Sequence, residues 1–153
     1  MSSPDPATAD HDLAEQLVRL TRRMHRAQKR HLETLDIALT PAQLRLLRIV
    51  DHYPDDAPPR MADLAARLEV VPRAVTTLVD ALEAKDEVRR VPDTANRRVI
   101  RIELTDTGRS TLRALRGARR AAAQDILAPL TAEQRDVLGG LLSTLVDGAA
   151  ARC

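Results

Sequence analysis

Residues 61–112 read MADLAARLEVVPRAVTTLVDALEAKDEVRRVPDTANRRVIRIELTDTGRSTL, and the hydrophobic period changes within them. From Arg60 to Leu68, Met61, Leu64, Ala65 and Leu68 recur at steps of three and four, which predicts a short helix. A tight turn follows at Glu69 and Val70. Pro72 suits a first helical position, and Val75, Leu78, Val79 and Leu82 then share one face of a second helix. Two short helices around a turn of about three residues form a helix-turn-helix. After Asp86 the period becomes alternating. Val88–Val91 and Val99–Leu104 read as strands, and the turn-rich segment 92–98 joins them. The expectation is a β-hairpin with a basic tip, a wing.

Helices are predicted on both sides of this unit. Upstream, Thr40-Pro41-Ala42-Gln43 is a capping box opening a helix with Leu44, Leu47 and Val50 inward, ending near Tyr53. A polar, proline-rich loop, 54–59, follows it. Earlier still, Leu13, Leu17, Leu20, Met24, Ala27, His31 and Leu35 make one apolar stripe. The other faces of that helix carry Arg19, Arg22, Arg23, Arg26, Lys29 and Arg30. Downstream, Thr105 or Asp106 caps a helix with Leu112, Leu115, Ala118, Ala122 and Ile126 inward, and Pro129 interrupts it. Thr131 and Gln134 then form a second capping box. The last helix carries Leu138, Leu141, Leu142, Leu145 and Ala149, with Gly139 and Gly140 permitting close packing. The predicted fold class is mainly α with a small β-hairpin wing.

Composition narrows the function classes. The chain has 153 residues, one Tyr, and no Phe or Trp. It therefore lacks the aromatic platforms that stack unpaired bases, which argues against single-strand or RNA binding. The lone Cys153 excludes an intrachain disulfide and a cysteine-cluster metal site. Beside Arg152 at a terminus it lacks the defined electropositive niche that a sensor thiol needs. The polar, acidic start MSSPDPATAD is not a signal peptide and reads as a disordered arm; a cytoplasmic protein is expected. His11, His25, His31 and His52 are scattered, and no nucleophile elbow, phosphate loop or metalloprotease motif occurs. Neither an enzyme nor a metal or cofactor site is expected.

Charge placement says more than the formal net charge of +2. From Arg89 to Arg101 the hairpin holds five arginines (Arg89, Arg90, Arg97, Arg98, Arg101) against one acid, Asp93. Most charge runs are solvated faces, but this one follows a helix-turn-helix directly. A tip bearing Arg97 and Arg98 fits a minor groove or clamps phosphates. On the second helix, Val75, Val79 and Leu82 face inward, so Pro72, Arg73, Thr76, Thr77 and Asp80 lie on or beside the opposite face. Such a helix fits the major groove of duplex DNA. Arg73 suits a bidentate contact to guanine, and the threonines suit bases, phosphates or a thymine methyl. Candidate DNA-contacting residues are thus Pro72, Arg73, Thr76, Thr77, Asp80, Arg89, Arg90, Asn96, Arg97 and Arg98.

The pieces LTPAQLRLLRIV, MADLAARLEVVPRAVTTLVDALEAKDEVRRV and PDTANRRVIRIELTDTGRSTL resemble the multiple-antibiotic-resistance regulator (MarR) family. The resemblance implies a winged helix-turn-helix with flanking dimerisation helices. It divides the chain into an arm (1–10), an N-terminal dimerisation helix (11–38), a DNA-binding domain (39–105) and C-terminal dimerisation helices (106–153). It also implies a homodimer on a palindromic operator, acting as a repressor that a small phenolic or anionic effector releases. Four positions depart from the family pattern. Glu69 stands where the turn often has Gly, which suggests a rearranged turn. Val71 replaces a capping Ser or Thr. Asp86 replaces a Gly, and Asn96 replaces the Asp before Arg97-Arg98. These departures leave one competing reading from another class: a helical dimeric interaction module with a degenerate helix-turn-helix.

Overall fold

The computed structural model describes residues 6–150. Six helices and one hairpin follow in the order α1 (Pro6–Glu33), α2 (Pro41–Asp51), α3 (Met61–Leu68), α4 (Pro72–Glu83), β1 (Val88–Pro92), β2 (Ile100–Leu104), α5 (Asp106–Leu127) and α6 (Ala132–Ala150). Two compact units result. One is Leu32–Gly117; the other joins, among the described residues, 6–31 with 118–150.

The first unit is built on Leu46, Leu47, Val50, Leu64, Leu68, Val75, Val79, Leu82, Val88, Ile102, Leu104, Leu112 and Leu115, all buried in one cluster. Leu46 is fully buried while Leu44 is only partly so, which rotates the α2 core face slightly from the sequence reading. The Thr40 capping box forms as expected. The Gln43 N–H donates to Thr40 Oγ1 at 3.3 Å, and the Thr40 N–H donates to Gln43 Oε1 at 2.9 Å. β1 and β2 pair antiparallel with Val88 opposite Leu104 and Pro92 opposite Ile100. The Ile102 N–H donates to the Pro59 carbonyl at 2.9 Å, so the segment before α3 adds a short third rung at Arg60. The single aromatic ring, Tyr53, lies under the Arg67 guanidinium, 5.6 Å from its centroid.

Both tight turns use left-handed residues. Glu69 has φ 58° and ψ 42°. The Val70 N–H donates to the Ala65 carbonyl at 3.1 Å and the Glu69 N–H to that of Ala66 at 3.3 Å. This is a Schellman close, so the turn keeps its usual geometry with Glu in place of Gly and is not rearranged. Asp86 takes φ 56° after α4. Its carbonyl accepts from Thr105 Oγ1, and its carboxylate accepts from Thr107 Oγ1 at 3.1 Å.

Thr105, rather than Asp106, caps α5: the Gly108 N–H donates to Thr105 Oγ1 at 3.1 Å. A Cβ built on Gly108 would lie 2.1 Å from the Glu87 carbonyl oxygen. Leu104-Thr105-Asp106-Thr107-Gly108 makes a Leu-Thr-x-x-Gly motif, and its glycine is required by close approach of the chain between α4 and β1.

In the second unit, Ala27, Ala118 and Ala122 are buried, and His31 Nε2 lies 2.8 Å from Asp125 Oδ2. The Thr131–Gln134 capping box forms at 3.0 and 3.2 Å. Two expectations change. α1 already begins at Pro6, within the span 1–10 read as an arm; a proline suits that first helical position and alanines follow it. The N-terminal helix expected to reach residue 38 stops at Glu33, and Leu35 lies in a turn. Asp36, in the same turn, takes φ 48°, a conformation that Asp tolerates better than most residues. Residues 1–5, the Ala149 side chain and Cys153 lie outside the described residues.

Candidate nucleic-acid interface

α4 buries Val75, Val79 and Leu82 and leaves Pro72, Arg73, Thr76, Thr77 and Asp80 exposed. Pro72 is its first residue, and Val71 caps it with backbone alone. No side chain satisfies the first turn, and the positive end of the helix dipole faces outward there. Both threonine hydroxyls turn back along the helix. Thr76 donates to the Pro72 carbonyl at 3.3 Å and Thr77 to that of Arg73 at 3.2 Å. Their protons are thus engaged, leaving methyl groups and oxygen lone pairs toward solvent.

The wing is held by Asp93, which is only 5% exposed. One carboxylate oxygen accepts from the Ala95 N–H at 2.8 Å and the Asn96 N–H at 3.0 Å. The other accepts from Arg101 Nε, and the same guanidinium donates to the Pro58 carbonyl. The Arg101 hydrogen bond, helped by the two backbone N–H groups, holds the Asp93 carboxyl below the usual carboxylate range. Asn96 continues the scaffold, with its side-chain oxygen accepting from the Arg98 N–H at 3.1 Å. Asn96, read from the sequence as a candidate DNA contact, thus shapes the tip through a backbone hydrogen bond.

The hairpin arginines separate into two groups. Arg89 donates to Glu103, directly opposite it across the hairpin. Arg90 is pinned to α4, donating to Asp80 and to Glu83. The Asp80 hydrogen bond is the main reason its guanidinium pKa is raised further still. Arg101 is tied to Asp93. Arg97 and Arg98, at the tip, are exposed and have no carboxylate partner among the described residues. The local positive surplus is therefore concentrated on two side chains, because acids on α4 and β2 neutralise the others. The structure brings Asp80 and Arg90 together as an ion pair and leaves Arg73, Arg97 and Arg98 as the exposed arginines of α4 and the hairpin without a carboxylate partner among the described residues. Sequence reasoning missed Asp93 as the organiser of the wing. The signal was present: an Asp just after a strand, followed by a turn, is an Asx-turn pattern.

A family model described as MarR family matches residues 39–100. The chain is 32% identical over 135 residues to the HTH-type transcriptional repressor MdtR of Bacillus subtilis, covering 88% of this chain and 82% of that protein. It is 26% identical over 151 residues to the HTH-type transcriptional repressor NicR of Pseudomonas putida, covering 95% and 94%. Among solved structures, the YusO protein from Bacillus subtilis superposes with a TM-score of 0.77 at 27% identity, over 94% of this chain and 99% of that one. A MepR mutant from S. aureus bound to an oligodeoxyribonucleotide shares the fold, with a TM-score of 0.69 at 22% identity, over 90% and 97%. With an exposed α4, a wing tip carrying two unpaired arginines and these relatives along most of its length, the chain belongs to the MarR family, transcription regulators that bind DNA through a winged helix.

Proposed function

We propose that the chain is a repressor that binds a palindromic operator as a homodimer in the cytoplasm and leaves it when a small phenolic or anionic effector binds. Residues 39–105 are the DNA-binding part, and the flanking segments 11–38 and 106–153 make the dimer. The observation that carries the DNA contact is the pairing pattern of the wing, which leaves Arg97 and Arg98 alone to meet phosphates or a minor groove. Arg73, Thr76 and Thr77 on α4 read base edges or methyl groups, and the uncapped first turn at Pro72 meets a phosphate. Asp80, Arg89, Arg90 and Asn96 contribute by fixing the surface on which these groups stand.

The dimer is supported by the second unit. Leu13, Leu17 and Leu20 of α1 are 66%, 57% and 42% exposed, and Val137, Leu141, Leu145 and Val146 of α6 are 59–67% exposed. Apolar stripes of that extent mark a surface that another copy covers. The competing reading, an interaction module with a degenerate helix-turn-helix, drew on Glu69 and Val71. Glu69 nonetheless makes the left-handed turn, and α4 forms without the side-chain cap.

The test is selection of bound genome fragments by the pure protein, then titration of the selected duplex at several salt concentrations. Arg97→Ala and Arg98→Ala should weaken binding to all sequences and flatten the salt dependence by about 0.9 in logarithmic slope per lost phosphate contact. Arg73→Ala should relax preference at particular base pairs, at a cost of about 1–3 kcal/mol per lost bidentate contact. Salt-independent binding, or an Arg73→Ala protein that ranks all operator variants as wild type does, contradicts the assignment.

A further inference from the structure

One strongly charged surface has no part in the operator reading. α1 carries Arg19, Arg22, Arg23, Arg26, Lys29 and Arg30, and no acidic residue occurs between Glu15 and Glu33. At 3.6 residues per turn the six cations occupy roughly a third of the helix circumference, and from Arg19 to Arg30 they extend about 16 Å along the axis. Leu13, Leu17, Leu20 and Met24 lie on another face. In a chain with a net charge of only +2 this is a concentrated positive field.

The pairing state of these arginines sets them apart. Arg89, Arg90, Arg101, Arg109 and Arg116 each rest on a carboxylate. Arg19, Arg22, Arg23 and Arg26 are exposed and have no carboxylate partner among the described residues. Mutual repulsion along a helix is unfavourable unless something anionic lies against it. Guanidinium groups select phosphate, which they meet bidentately. A small anion needs one or two such groups, whereas a rigid row of several suits a polymer of closely spaced phosphates. An anionic lipid surface would draw the apolar face of α1 into the bilayer, but the dimer occupies that face in the reading above.

We propose that the arginine face of α1 is a second, sequence-independent contact for the phosphates of duplex DNA, separate from α4 and the wing. The proposal rests on the DNA-binding reading and is tested apart from it.

The experiment compares the full-length wild type with Arg22→Gln/Arg26→Gln and with Arg119→Gln/Arg120→Gln. The second pair removes the same charge from exposed positions of α5. Binding to a duplex of random sequence is followed by fluorescence anisotropy over a range of salt, with light scattering on each protein. The α1 pair should lower the logarithmic salt slope by about 1–2. The α5 pair should stay near wild type, and all three proteins should keep one oligomeric state. An unchanged slope for the α1 pair overturns the proposal, as do equal losses for both pairs, which would mark a general charge effect. Dissociation of the α1 variant would assign these arginines to the subunit interface instead. Loss of binding to anionic-lipid vesicles with an unchanged DNA slope would assign them to a membrane surface. If wild type binds no duplex, the regulatory reading fails first; if Arg97→Ala/Arg98→Ala weakens binding and the α1 pair does not, this proposal alone fails.

Discussion

Two glycines of α5 should respond to the same substitution with opposite signs. At Gly108 an added Cβ meets the Glu87 carbonyl oxygen at 2.1 Å, the Glu87 carbonyl carbon at 3.1 Å and Leu104 Cδ2 at 3.3 Å. Ordinary carbon–oxygen contact needs more than an additional ångström, and the obstacle is backbone, not the end of a flexible side chain. The Glu87 carbonyl also accepts the Thr105 N–H at 3.2 Å, and it follows Asp86 at φ 56°, so it has little room to retreat. Overpacking of this kind costs about 1–3 kcal/mol, and losing the hydrogen bond adds about 1 kcal/mol. The better helix propensity of Ala returns about 1 kcal/mol. Gly108→Ala should therefore destabilise by about 1–3 kcal/mol. At Gly117, nine residues on, the added Cβ meets nothing within 4 Å. Gly117→Ala should stabilise by about 0.5–1 kcal/mol through propensity and a less flexible unfolded chain. The assay is urea unfolding followed by far-ultraviolet circular dichroism at fixed protein concentration, since a dimer's stability depends on it. A Gly108→Ala protein as stable as wild type would refute the steric account of the Leu-Thr-x-x-Gly motif. Loss of stability in both variants would show that glycine matters for another reason.

Glu69→Gly should raise stability by about 0.5–1 kcal/mol, because relief of the left-handed strain exceeds the extra chain entropy of glycine; a destabilised variant in the same unfolding assay would mean Glu69 makes a compensating contact. Acid should weaken the wing through Asp93. Its folded-state pKa is depressed, so its contribution is fully present above the unfolded value of about 3.9 and is lost as pH falls from there through the lowered folded value. Asp93→Asn should remove that part of the acid limb and raise hydrogen exchange at Ala95, Asn96 and Arg98; an acid limb identical to wild type would dismiss Asp93 as the group responsible.

What was legible in the sequence is what is local. The capping boxes at Thr40 and Thr131 involve residues three apart and form as read. The buried faces of α3 and α4 follow from their spacing alone. The electrostatics of the wing were not legible, because they join distant positions: Arg90 to Asp80 and Glu83, Arg89 to Glu103. Counting charge along residues 89–101 overstated what the wing offers a polyanion, since three of its five arginines are neutralised by side chains that the fold brings to them. The break of α1 at Glu33 escaped for a related reason. The apolar period continues through Leu35, while the left-handed Asp36 that ends it is one residue with an ordinary side chain. The need for glycine at position 108 was not legible, because its cause lies in a carbonyl 21 positions earlier.

The pairing of Arg90 with Asp80 and Glu83 also bears on the proposed reading surface. β1 is tied to the exposed side of α4 by a guanidinium that is 29% exposed, between carboxylates 60% and 39% exposed. In water such a contact contributes little to stability. It nonetheless links β1 to α4, the two elements that carry the proposed DNA contacts. A phosphate approaching Arg90 would have to displace two carboxylates already in place and would meet their repulsion. Arg97 and Arg98 impose no such exchange, and the Asp93–Asn96 scaffold fixes their backbone beforehand, so less ordering remains to be done on binding. Within α4 and the hairpin, the acids of α4 and β2 thus leave Arg73, Arg97 and Arg98 as the arginines without a carboxylate partner among the described residues.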